Sequence, residues 1–445
     1  MNECRTWEKA REQHACYQRR EPTKTVLYRI VSSGREELAR VWDERFRTEY
    51  GALRKVVLET LDQYLNCGLL EHGAARVYCD CCNHSIFVAY SCKGRNLCPP
   101  CAAKRAVKFA EHLYEDVLED VEHLHIVGSV PKRLRGFYLR ERRNLDILFD
   151  ALWGSIGEQL GIDGVPGLVL NVQTAGEALN YNPHLHGILS NGSFRADGSF
   201  KPFDNIDTEK LTLGFATRVL SAMRAKGLLD AEAVVQIQSQ EHSGFSVWVG
   251  EPFRDKEREL FVARYIERGP ISLEKLSLAH DVVIYTTKDG VAHEFDALDY
   301  LALLTLHIPN RGESLSRFFG HYSSRSRGER KKQERLKAAA AENVAITEIV
   351  EPRKRPSLTW AECIRLVYEI DPLKCPKCGS RMRIISFIKD QHEMDKIMKS
   401  MGIPKSHAPP RSTELVEVRY LSRSAQRMRM SFRDEFPMSA FEYIQ

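Results

Sequence analysis

The chain has 445 residues, enough for roughly two to four domains with a sizeable core, which excludes a disulfide-stapled miniprotein. Its 43% hydrophobic and 28% charged residues exclude a disordered chain, and no run approaches the roughly 20 apolar residues of a membrane span. The net charge of +5 is uneven: Arg311 to Lys337 holds nine basic and three acidic residues, Lys93 to Lys108 five and none, Pro131 to Arg143 six and one. Basic patches of this kind suit a polyanion partner, although solvated helix faces produce them too.

In chain order, the N-terminal MNECRTWEKAREQ has no apolar targeting core, so the reducing cytoplasm is the expected compartment, with no membrane partner. From Glu37 to Leu65, apolar and aromatic residues recur at three- and four-residue steps and predict a helical region stopped by Cys67-Gly68. A cysteine-rich segment from Val77 to Cys101 follows, then a helix from Arg105 to Leu118. Strands are predicted at Leu124–Val130, Leu168–Thr174, His184–Leu189, Val234–Gln238 and Phe245–Val249, with helices at Asn144–Leu160 and Leu211–Lys226. The class is therefore α+β. A charged helix from Arg254 to Arg268 ends at Gly269-Pro270, and the basic run Ser323–Ala341 is a surface helix or linker. A short helix over Thr359–Ile370 leads into Cys375-Pro-Lys-Cys378-Gly, and the tail after Pro409 has weak periodicity and is expected to be poorly ordered.

Six of the twelve cysteines fall between Cys79 and Cys101, a density that reads as metal binding in a reducing compartment. Cys79-x2-Cys82, a 15-residue spacer and Cys98-x2-Cys101 predict one tetrahedral structural zinc on these four thiolates, with Cys81, Cys92 and His84 as substitutes. The Cys375/Cys378 knuckle is half of a second site, for which Cys363 and His392 are the nearest further ligands. In Asn182-Pro-His184-Leu-His186-Gly, strand alternation puts both imidazoles on one face, half of a divalent-metal site. His123-Leu-His125 has the same spacing and competes. Tyr265 lies in a helix beside Arg264 and Arg268, where guanidinium groups could hold phosphate oxygens around a nucleophilic phenol.

The run Val172-Gln-Thr-Ala-Gly-Glu-Ala-Leu-Asn-Tyr-Asn-Pro-His-Leu-His186, with Ala263-Arg-Tyr265 and its Gly-Pro-Ile-Ser, resembles the transposases of rolling-circle insertion sequences and their common-region relatives, within the HUH (His-hydrophobe-His) nucleases. The similarity also takes in Ser91-Cys-Lys-Gly-Arg-Asn-Leu-Cys98-Pro-Pro-Cys101, Ser129-Val-Pro-Lys-Arg-Leu-Arg135, Ile308-Pro, Arg317-Phe-Phe-Gly-His-Tyr322, Trp360, Asp371-Pro and the Cys375 knuckle, about residues 20–405 in all. The resemblance implies that His184 and His186 are catalytic and hold Mg²⁺ or Mn²⁺, that Tyr265 is the nucleophile, and that His125 is the candidate third ligand. Some members carry a second tyrosine four residues earlier; Phe261 stands there, so the chain resembles the single-tyrosine variety.

The implied partner is DNA, mainly single-stranded or hairpin element ends, with the protein at the nucleoid and Arg95, Lys104, Arg105, Arg264, Arg268, Arg317, Arg325, Arg327 and Arg330 as candidate contacts. The expected organisation is an N-terminal helical region (1–70), a zinc-binding domain (71–118), an HUH nuclease domain (119–322), a basic helix or linker (323–357), a helix and Cys-knuckle module (358–408) and a tail (409–445). The rival readings are a relaxase or replication-initiator nickase and a non-catalytic zinc-dependent DNA-binding regulator.

Overall fold

The computed structural model describes residues 19–161, 164–240, 243–342, 360–368 and 371–405; the tail after Pro409 lies outside them. Thr25 accepts the amide of Tyr28 and starts helix α1 (Val26–Arg45). The expected long helical region is broken: α2 (Arg47–Tyr50) ends at Gly51, whose φ of 83° only glycine adopts readily, and α3 (Lys55–Leu65) begins anew. A hairpin of β1 (Ala74–Tyr78) and β2 (Ser85–Ala89) then precedes α4 (Pro99–Asp116), which opens with two prolines at its first turn.

Next come β3 (His123–Ser129), α5 (Arg135–Arg140), α6 (Leu145–Leu160), β4 (Val165–Ala175), β5 (Tyr181–Phe194), β6 (Phe200–Pro202) and α7 (Thr208–Ala225). Val234–Gln238 is a correction: it is the body of helix α8 (Ala231–Gln238), not a strand. The paired valines suggested a strand, but Asp230 accepts the amide of Ala233 and nucleates a helix that buries only Ile237. β7 (Ser246–Val249) is followed by α9 (Lys256–Ile266), capped by Asp255, then by β8 (Leu276–Ala279), β9 (Val282–Thr286), β10 (Ala292–Asp296) and α10 (Ala297–Leu306). β11 (Ser316–Gly320), α11 (Ser324–Glu342), α12 (Trp360–Tyr368), β12 (Arg383–Ile388) and α13 (Gln391–Ser400) complete the described chain.

The central sheet runs β11-β4-β5-β3-β7, with β6 on β5, and its pairings are antiparallel. Leu124, Ile126, Leu168, Leu170, Leu185 and Leu189 turn to one face, where α6 and α7 cover them. Val169 and Ile188 turn to the other, where Ala110 and Leu113 of α4 and Val262, Ala263 and Ile266 of α9 pack. Alternation along each strand thus assigns a helical layer to either side. A second core unites α1 and α3 with α10 and the β8–β10 sheet, so part of the segment expected in the 119–322 domain packs with the N-terminal helices. The third sheet, β12-β1-β2, joins the hairpin after α3 to the C-terminal part of the described chain. Among the described residues no helix is long and apolar enough to cross a membrane.

Candidate active site

The register fixes which side chains meet. Val127 of β3 pairs with His186 and Ser129 with His184, while Asn171 and Gln173 of β4 pair with the same two histidines from the other side. His125, His184, His186, Asn171 and Gln173 therefore share the sheet face that carries α9. Gly187 points to the opposite face, under α6 and α7, where a Cβ would stand 2.5 Å from both Leu170 Cδ2 and the Val169 carbonyl oxygen.

Tyr265, near the end of α9, is half-buried over this face. Its ring centroid lies 5.3 Å from that of His186 and 5.9 Å from that of His125, edge-on in both cases. His184 stands 4.8 Å from His186, and the Arg268 guanidinium lies 4.2 Å from the Tyr265 ring centroid. Cation–π attraction holds that charge beside the phenol.

The imidazoles are neutral for a physical reason. Burial pushes His125 and His184 down to about 4, with Arg268 and Arg135 adding to the effect at His184. Burial depresses His186 further, helped by its two neighbouring histidines and Arg268. A carbonyl can only accept, so His184 Nδ1–H donates to the Asn182 carbonyl at 2.7 Å and its Nε2 lone pair is left for another ligand. His125 Nε2 and His186 Nδ1 are 3.2 Å apart. Two nitrogens bound to one octahedral Mg²⁺ at about 2.0–2.1 Å would stand about 2.8–3.0 Å apart, so this one pair of nitrogens is close to the spacing of a shared divalent ion as well as to that of a hydrogen bond.

Two polar anchors fix α9 on either side of Tyr265. Toward the helix start, buried Glu259 accepts from His123 Nδ1–H at 3.0 Å, and His123 Nε2 accepts from the Tyr322 hydroxyl at 2.7 Å. The competing histidine His123 is thus a core residue, and only His125 of that pair joins the site. At the helix end, Gln173 Nε2 donates to the carbonyls of Tyr265 (3.0 Å) and Ile266 (3.2 Å), in the last turn, where carbonyls lack their full set of helical partners. Buried Glu267 accepts from Arg105 Nε at 2.5 Å, from Ser316 Oγ at 3.1 Å and from Asn171 Nδ2.

The expected zinc grouping is corrected. Cys98 and Cys101, at the start of α4, converge with Cys67 and Cys92, whereas Cys79 and Cys82 face Cys375 and Cys378. Two Cys-x2-Cys knuckles in sequence suggested one site, but the β1–β2 hairpin carries the first away from α4. In the first cluster Cys67 Sγ lies 3.6 Å from Cys98 Sγ and 3.8 Å from Cys101 Sγ, and Cys92 Sγ 3.7 Å from Cys101 Sγ. Tetrahedral zinc with Zn–S near 2.3 Å separates its sulfurs by about 3.8 Å, so four thiolates of this set fit it. The amide of Cys92 donates to Cys67 Sγ and that of Gly94 to Cys92 Sγ, each at 3.3 Å, as thiolates require.

Several expected DNA contacts are occupied internally. Arg95 donates to the Asn310 and Glu313 carbonyls, Arg105 to Glu267, and Arg317 pairs with Asp146. Arg327 donates to the Tyr322 carbonyl, and Arg330 donates to the His321 carbonyl and pairs with Glu119. Burial depresses Lys104, which is half-buried. Arg268 and Arg325 are exposed and Arg264 is half-buried. Asn171, Gln173, Glu259, Glu267 and Cys67 were missed in the sequence, where Cys92 stood only as a substitute ligand; the signal for the first two was a pair of amides interrupting the apolar strand Leu168-Val-Leu-Asn-Val-Gln173.

Comparisons with known proteins find similarity to transposases. A family model described as a transposase zinc-binding domain matches residues 38–130, and one described as a putative transposase matches residues 167–330. The chain is 23% identical to the transposase for insertion sequence element IS801 of Pseudomonas savastanoi pv. phaseolicola over 75% of this chain and 84% of that protein. It is 23% identical to the putative transposase y4qJ of Sinorhizobium fredii (strain NBRC 101917 / NGR234) over 38% of this chain and 44% of that protein. No solved structure matches. The segment similar to a transposase zinc-binding domain supplies α4 and the segment similar to a transposase supplies β4, β5 and the tyrosine helix, so the chain is similar to insertion-sequence transposases across both parts of the site.

Proposed function

We propose that the protein cuts and rejoins single DNA strands at the ends of its element through a 5′-phosphotyrosine on Tyr265, as an HUH nuclease. The observation that carries this reading is the convergence of Tyr265 with His125, His184 and His186 on one sheet face. Tyr265 Oη attacks the scissile phosphorus; the Oη–P bond forms, the P–O3′ bond breaks, the phenolic proton passes to solvent and the released 3′-oxygen takes up a proton. A phosphotyrosine keeps the energy of the phosphodiester, so a 3′-OH of another strand reverses the step without ATP. His125, His184 and His186 would hold a Mg²⁺ or Mn²⁺ ion, which polarises the phosphate and offsets charge developing on its oxygens.

The chain's own residues do the rest. Arg268 supplies fixed positive charge beside the phenol. Phe261, one turn before Tyr265 and 54% exposed, offers a ring on which a base of the bound strand can stack. Structural zinc in the Cys67/Cys92/Cys98/Cys101 cluster holds α4, which forms one wall of the site.

The test is a single-stranded oligonucleotide of the element end incubated with and without Mn²⁺, followed by denaturing electrophoresis and mass spectrometry of the nucleotide-linked peptide. A metal-dependent adduct on Tyr265 that disappears in Tyr265→Phe is expected. Attachment at Tyr285, Tyr300 or Tyr322, or an undiminished adduct in Tyr265→Phe, overturns the assignment.

A further inference from the structure

Cys79 and Cys82 leave the first cluster, yet they are not isolated. Cys79 Sγ lies 3.5 Å from Cys378 Sγ and Cys82 Sγ 3.5 Å from Cys375 Sγ, and the four sulfurs all lie within 4.8 Å of one another. A disulfide needs sulfurs about 2.05 Å apart, whereas the sulfurs of a zinc tetrathiolate stand about 3.8 Å apart. Crossed contacts between two knuckles, first cysteine to second and second to first, place the four donors around a common centre.

The backbone agrees with the sulfurs. In each knuckle the residue after the second cysteine is left-handed, Asn83 at φ 55° and Gly379 at φ 75°. The amide of Cys79 donates to the His84 carbonyl and that of Cys375 to the Ser380 carbonyl, each at 2.9 Å, so the two hairpins close in the same way. Both turns therefore aim their thiols inward by the same conformation. Cys363 and His392, the ligands expected for the Cys375 knuckle, are not among this set, and Cys363 is buried on α12.

We propose that these four thiolates bind a second structural Zn²⁺ that staples the segment 371–405 to the β1–β2 hairpin, across about 290 residues of chain. Cys375 and Cys378 lie outside both stretches that match family models, yet β12 pairs with β1 and the two cysteines face Cys82 and Cys79, which joins the C-terminal knuckle to the hairpin. Apolar packing alone is thin here. One face of the β12-β1-β2 sheet has Leu70, Ala74, Phe87, Met394 and Met398; the other has Val77, Val88 and Met382 beside the cysteines. Phe387 of β12 remains 67% exposed. Cores this small usually require a metal or another staple. On binding, the four thiols lose their protons to buffer and zinc takes four sulfur ligands, leaving no position open for chemistry.

The inference stands independently of the strand-cleavage proposal. The full chain, purified reduced with zinc, is expected to carry two zinc ions by elemental analysis. Cys375→Ser with Cys378→Ser should carry one, and the amides of 74–78 and 383–388 should lose hydrogen-exchange protection by tenfold or more. The reciprocal pair Cys67→Ser with Cys92→Ser should also lose one zinc but retain that protection. In case the variants do not fold, the unaltered protein decides: iodoacetamide should spare Cys79, Cys82, Cys375 and Cys378 together until a chelator is added, and then label all four. Rapid labelling of Cys375 and Cys378 in zinc-loaded protein, or one zinc per chain, overturns the proposal.

Discussion

Glu267→Ala removes the carboxylate that ties the end of the tyrosine helix to both the central sheet and α4. Its side chain is 5% exposed and accepts from Arg105, Ser316 and Asn171. A hydrogen bond to a charged group contributes about 1.5–3 kcal/mol. Arg105 is 46% exposed and can rehydrate, and Asn171 keeps Ser316 at 2.9 Å, so the three losses do not add in full. The net cost is about 2–4 kcal/mol, which should lower the melting temperature by about 2–5 °C for a cooperative unit of this size. Cleavage should suffer separately, because a displacement of about 1 Å at the attacking group can cost about a hundredfold.

The assay is single-turnover adduct formation at saturating oligonucleotide and Mn²⁺, with oligonucleotide affinity measured in parallel. Glu267→Gln retains the shape and one acceptor oxygen and should recover most of the rate, whereas the alanine variant should form the adduct about 30–100-fold more slowly at nearly unchanged affinity. Arg311→Ala is the control, since Arg311 in its pair with Glu59 is 83% exposed and such pairs contribute under about 1 kcal/mol. If Glu267→Ala melts earlier but forms adduct at the unaltered rate well below its melting point, the anchor stabilises the fold without positioning Tyr265.

Replacing His125, His184 or His186 singly by Ala should reduce metal-dependent cleavage at least a hundredfold while leaving single-strand affinity within about threefold, measured by fluorescence anisotropy; normal cleavage by His125→Ala would remove it from the ligand set. Acid should destabilise the protein through the same residues. His125 and His184 stay neutral to about 4, whereas unfolded imidazoles titrate near 6.5, so the stability they contribute is full above about 6.5 and lost as pH falls toward 4. Each is worth up to about 3 kcal/mol, and urea midpoints at pH 7 and 4.5 should fall less far apart in His125→Asn than in the unaltered chain; identical pH dependences would refute the shift. Reversing Arg325, Lys331 and Lys332, all exposed on α11, to Glu should weaken DNA binding on every sequence and flatten the salt dependence of log Kd; an unchanged slope would exclude α11 as a phosphate contact.

The parts of the site that depend on local periodicity were legible in the sequence. Strand alternation put His184 and His186 together with Leu185 in the opposite core, and helix spacing with the Gly269-Pro270 stop delimited the Tyr265 helix within two residues at each end. Choices that depend on distant pairing were not legible. Six cysteines in 23 residues admit many sets of four, and the true sets draw on Cys67 and on Cys375 and Cys378, which only β1–β12 pairing and the placement of α4 bring in. Arginine counts misled for a related reason. A guanidinium donates equally well to a phosphate or to a carbonyl such as that of Tyr322, and composition does not distinguish the two.

The zinc-binding segment is more than a separate DNA grip, because α4 serves two structures at once. Its first turn supplies Cys98 and Cys101 to the first cluster; one turn later Arg105 reaches Glu267; beyond that Ala110 and Leu113 pack against Val262, Ala263 and Ile266. The tyrosine helix is thus held between the sheet, which bonds its last carbonyls through Gln173, and a helix whose own start lies in a four-cysteine cluster. Removing the cluster would release the α4 end of that clamp and leave the apolar side of α9 without its cover. The two segments matched by separate family models are therefore coupled at Tyr265, and on the proposed mechanism the cysteine cluster would influence the phenol through packing and one ion pair without touching the phosphate.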